Sequence, residues 1–69
     1  MSEGKLDKRF GALAIDKGFI TLEHLIEAMK IQILENLQGL DHRLIGQILW
    51  EEGYIKTEHI NEVLESMGI

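Results

Sequence analysis

Residues 7–25, DKRFGALAIDKGFITLEHL, and residues 42–60, HRLIGQILWEEGYIKTEHI, decide the architecture, because one is an imperfect copy of the other. A shift of 35 residues superposes Gly11 on Gly46, Gly18 on Gly53, Ile20 on Ile55, Glu23 on Glu58, His24 on His59 and Glu27 on Glu62, and brings Phe19 onto Tyr54. Self-similarity at such a period marks a repeated supersecondary unit that cannot bury its apolar face alone. The register slips at two places: Leu44 stands opposite Arg9 with Arg43 one residue early, and Lys56 stands opposite Thr21 with Thr57 one residue late. The second unit is the degraded copy.

Each unit reads as helix, turn, helix. Leu6, Phe10, Leu13 and Ala14 recur at helical spacing over residues 6–17, and Gly18 supplies the C-terminal stop. Thr21 is placed to cap a second and longest helix, whose stripe Leu22, Leu25, Ile26, Met29, Ile33 and Leu37 is expected to face the core, ending near Gly39. Asp41 can cap a third helix carrying Leu44, Ile45, Ile48 and Leu49 up to Gly53, and the fourth carries Ile60, Val63, Leu64 and Met67. Phe19-Ile20 and Tyr54-Ile55 are too short for strands and read as connectors that feed the core. The expected fold is all-α, four short helices in two tandem helix-turn-helix repeats, about 6–38 and about 41–68, forming one domain over residues 1–69.

Sixty-nine residues allow one small core, and a chain of this size buries only about 60% of the surface it exposes when unfolded. With no cysteine, neither a disulfide nor a thiolate metal site can reinforce it, so packing or self-association must. Ile31 and Leu34 project away from the expected core stripe of the second helix and predict a homodimer across that face. Gly11 and Gly46 sit inside helices, where glycine costs about 1 kcal/mol relative to alanine. Ile15 and Trp50, four residues on, flank the resulting notches. The notches admit either a close helix neighbour or a docked ligand or partner.

Seven Lys and Arg against twelve Asp and Glu give a net charge of −5, which disfavours a nucleic-acid backbone as partner. Acids and bases balance through Lys30, so the whole acidic excess belongs to the second half, where only Arg43 and Lys56 oppose it. In a DNA-binding arrangement Glu58, Glu62 and Glu65 would face phosphates. The only basic cluster is Lys5, Lys8 and Arg9, beside Glu3 and Asp7, with which two of the three can pair at the surface. No apolar run is long enough to span a membrane and the start, MSEGKLDK, has no apolar signal core, so a soluble cytoplasmic protein is expected.

Catalytic context is missing: the serines are Ser2 and Ser66, no phosphate-cradling glycine loop occurs, and Glu51 and Glu52 diverge by about 100° on a helix. The expectation is no enzyme and no cofactor. His24 with Glu27 and His59 with Glu62 have a spacing that two helices could offer a metal, but their place in the first turn after a threonine reads more simply as capping or solvated polarity, and no metal is expected.

Arg9, Phe10, Gly11, Ala14, Gly18, Ile20, Leu25, Met29 and Gln32 follow the pattern Arg-Leu-Gly-x-x-Leu-x-x-x-Gly-x-Ile-x-x-x-x-Leu-x-x-x-Leu-x-x-Gln. Ile45, Gly46, Leu49, Gly53, Ile55, Ile60 and Leu64 repeat it, with Leu44 and Met67 at its arginine and glutamine positions. Over about residues 8–67 the chain thus resembles the N-terminal domain of type II secretion and type IV pilus assembly ATPases, the MshE N-terminal type. The resemblance implies a bacterial setting and a regulatory or protein-interaction module, with a partner from a secretion or pilus system. Its alternative implication is a receptor for cyclic di-GMP. That reading would use Arg9, Phe10, Gly11 and Gln32, with Arg43 and Gly46 from the second copy. For protein contacts the candidates are Ile15, Ile31, Leu34 and Trp50.

Overall fold

The computed structural model describes residues 2–40 and 42–68, with side chains from Leu6 onward. Four helices follow in order: α1 Ser2–Asp16, α2 Leu22–Leu37, α3 Ile45–Glu51 and α4 Thr57–Ser66. The fold is all-α, as expected. α1 begins a turn earlier than the sequence pattern indicated.

The helix ends are set by local chemistry. After α1, Gly18 takes φ 79°, the left-handed conformation that costs glycine least, and Phe19 N–H reaches back to Ala14 O at 2.9 Å. Gly53 repeats this after α3 at φ 81°, with Tyr54 N–H on Leu49 O at 2.9 Å. At the start of α2 the Thr21 hydroxyl accepts from His24 N–H, and Thr21 N–H donates to His24 Nδ1, both at 3.1 Å. This reciprocal box has histidine in the place usually held by glutamate or glutamine.

The start of α3 departs from expectation. Asp41 lies outside the described residues, and the flanking residue Leu44 has no side-chain oxygen to give. Asp7, from α1, takes the role: its buried carboxylate accepts from Ile45 N–H through Oδ1, at 3.3 Å. Asp7 is therefore an interior cap that joins α1 to α3, and a surface pairing with Lys8 or Arg9 is ruled out by that burial.

The main helix contacts are α1 with α4, α2 with α3, and α1 with α3. They run between the two halves rather than within them, and exchanging α1 with α3 and α2 with α4 leaves the set unchanged. Burial follows the same exchange: Phe10 and Ile45, Ala14 and Leu49, Ile20 and Ile55, and Ala28 and Val63 are all buried. The rings obey it too. Phe19 stacks on His59 with centroids 4.0 Å apart, and Tyr54 stacks on His24 at 4.4 Å. Each histidine thus packs against the aromatic residue that follows the glycine of the other half, which explains its presence without a metal.

α3 is the shortest helix and the most enclosed. Ile45, Ile48 and Leu49 are fully buried between α1 and α2. On α2 the core-facing residues are Leu25 and Ala28, with Gln32 partly buried beyond them. This corrects the expected stripe, since Leu22, Ile26, Ile33 and Leu37 face outward. α2 is apolar around more than half its circumference, and the small Ala28 selects the face on which the α3 backbone can approach closest.

Candidate functional site

The two interior glycines have different neighbours. A Cβ on Gly11 would lie 2.7 Å from Leu25 Cδ1, so that notch is closed by a side chain of the same half. A Cβ on Gly46 would meet the edge of the Phe10 ring at 3.1 Å. Beyond Phe10 the space stays open, and a groove of about 420 Å3 runs between α1, α3 and α4. Its walls are Leu6, Phe10, Leu44, Ile60, Leu64 and Met67, with Asp7 and Gln47 as polar members. This volume lies within the range of small-ligand pockets, about 300–1,000 Å3.

The groove sits at the second repeat's motif positions. Leu44 and Met67 line it at the positions of Arg9 and Gln32 in the first repeat. The polar pair has become an apolar pair, and the carboxylate of Asp7 is engaged with Ile45 N–H and with Gln32 Nε2, the latter at 2.9 Å.

The sequence-selected ligand residues are dispersed. Arg9 is exposed, whereas Gln32 spends its amide on Asp7 Oδ2 and on Arg43 O, both at 2.9 Å. Arg43 donates through Nε to Glu35 Oε1 at 3.0 Å and through Nη2 to Glu35 Oε2, while Nη1 pairs with Glu51 at 3.2 Å. Phe10 and Gly46 meet in the groove, and Gly11 is buried beneath Leu25. Of the residues selected for protein contact, Ile15 and Ile31 pack partly against the core, and Leu34 and Trp50 are more than half exposed. The groove itself went unread because its walls come from three helices. The signal for it was the loss of arginine and glutamine from the second repeat.

The Arg43 fork has an electrostatic consequence. Its hydrogen bonds hold the Glu35 carboxyl below the ordinary value, with the charge of Arg43 adding to this and desolvation opposing it. A carboxyl lowered on folding stabilises the folded state fully above its unfolded pKa, about 4.3, and loses that contribution as pH falls through the folded value. Melting temperatures taken from pH 7 to pH 3 are expected to fall less steeply at the acid end for Glu35→Gln than for the parent chain. Parallel curves would show that the pair contributes nothing.

No helix among the described residues is long and apolar enough to cross a membrane. No known protein family matches this chain, and searches of curated proteins and of solved structures likewise find no match.

Proposed function

We propose that this chain is a small non-enzymatic interaction module that holds apolar side chains of a partner protein in the groove between α1, α3 and α4. The carrying observation is the groove's lining: six apolar residues, with the one carboxylate already satisfied by internal donors. Among the described side chains a phosphate-bearing ligand would find no free cation there, since Arg43 is committed to Glu35 and Glu51 and Arg9 does not line it. α3 and α4 carry Glu51, Glu58, Glu62 and Glu65 and no lysine or arginine, and the negative field of this half favours a partner segment that carries lysine or arginine beside its apolar residues. The repeat's resemblance to secretion ATPase N-terminal domains, some of which dock on platform proteins, supports docking in a bacterial secretion or pilus setting. It also supplies the competing ligand, cyclic di-GMP.

Selection of peptides from a random display library on the immobilised chain tests the reading. Enrichment of peptides combining Leu, Phe or Trp with Lys or Arg is expected, with affinity reduced at least tenfold by Leu44→Glu at the exposed rim. Peptides that bind Leu44→Glu equally well, or no enrichment, would reject the groove. Calorimetry with cyclic di-GMP is expected to give no heat; micromolar binding abolished by Arg9→Ala would replace this reading with the receptor.

A further inference from the structure

A second apolar surface lies away from the groove, on the outer face of α2. Leu22, Ile26, Ile33 and Leu37 are 57, 44, 58 and 79% exposed. At about 100° per residue they fall within an arc of about 60°, and the half-buried Met29 lies at its edge. The stripe reads the same in both directions, Leu-Ile-Met-Ile-Leu. Leu22 with Leu37, and Ile26 with Ile33, are each centred on the point between Met29 and Lys30.

We infer that α2 pairs antiparallel with α2 of a second copy of this chain, about a two-fold axis passing between Met29 and Lys30. That axis sets Leu22 opposite Leu37 of the second copy and Ile26 opposite Ile33, so one patch satisfies itself, as a two-fold interface requires. Charge selects the direction. Glu23, Glu27 and Lys30 flank the stripe on the same side. In the antiparallel arrangement Lys30 comes within a turn of Glu27 of the second copy, twice over. In the parallel one, the two-fold would place these flanks on opposite sides of the seam, where Lys30 faces Met29 and Asn36 of the second copy and meets no carboxylate. The helix is about 24 Å long, from sixteen residues at 1.5 Å each. Pairing over that length buries on the order of 1,000 Å2 in total, the lower bound of a specific interface. The dimer is therefore a weak one, with dissociation in the micromolar range. It leaves the groove free, because no α2 residue lines that site.

Sedimentation equilibrium of the full chain into the high micromolar range is expected to show a monomer–dimer equilibrium, weakened at least tenfold by Ile33→Glu with helical content retained. Orientation is read by cross-linking with a short bismaleimide, which the absence of native cysteine makes clean. Lys30→Cys near the axis is expected to cross-link. Leu22→Cys is not, since its two copies would stand about 22 Å apart along the helices. A strict monomer, a dimer indifferent to Ile33→Glu, or cross-linking of Leu22→Cys as efficient as that of Lys30→Cys would overturn the inference.

Discussion

Ile48→Ala is expected to leave the chain largely unfolded at 37 °C. Ile48 is fully buried on α3, against which both α1 and α2 pack. Truncating a buried isoleucine to alanine costs about 2–5 kcal/mol, through lost transfer energy and the cavity left behind. A single core of this size supplies only about 3–5 kcal/mol in all. No disulfide offsets the loss, and the surrounding helices are too short to persist alone. Circular dichroism under urea is the measurement. Trp50→Ala, two residues along the same helix but half exposed, serves as the contrast and should change stability by about 0.5 kcal/mol or less. Equal effects at the two positions would mean that α3 is not enclosed as described.

Asp7→Ala is the second large effect. The carboxylate caps α3 through Ile45 N–H and receives the Gln32 amide, and Gln32 in turn holds Arg43 O. Hydrogen bonds to a charged acceptor contribute about 1.5–3 kcal/mol each, and the buried donors left behind raise the cost of removal. A loss of about 3 kcal/mol is expected, enough to remove most of the stability. Asp7→Asn keeps the shape and one acceptor but turns an amide N–H2 toward a donor, so it should fall between the two. If both variants melt within a degree or two of the parent, the interior cap is not holding α3.

The sequence's repeat announced much of this architecture, and the reasons are local. Gly18 and Gly53 are legible because a left-handed C-terminal stop is almost a glycine monopoly, and Thr21 because it precedes an apolar period with a free hydroxyl. The orientation of α2 was not legible. Apolar residues surround that helix, and periodicity reports that a face exists without saying which face is covered. The choice fell to Ala28, whose small size matters only once α3 is beside it. The internal partners of Asp7, Gln32 and Arg43 were not legible for a related reason. They lie 38, 25 and 8 residues away, and nothing in the spacing of a carboxylate reveals that it will cap a distant helix.

The pairing of Phe19 with His59 and of Tyr54 with His24 shows the opposite case. Both aromatic residues and both histidines recur at the period of 35, so the information was present. It became readable only with the knowledge that each half reaches across to the other. That same crossing of helices seats Phe10 against Gly46, opens the groove beyond it and turns the outer stripe of α2 toward solvent.

Nuclear Overhauser contacts between aromatic rings test this crossing most directly. The expected spectrum shows Phe19 ring protons close to those of His59 and Tyr54 ring protons close to those of His24. Contacts of Phe19 with His24 and of Tyr54 with His59 instead would mean that each half folds back on itself, and the groove and the free α2 face would fall with the crossing.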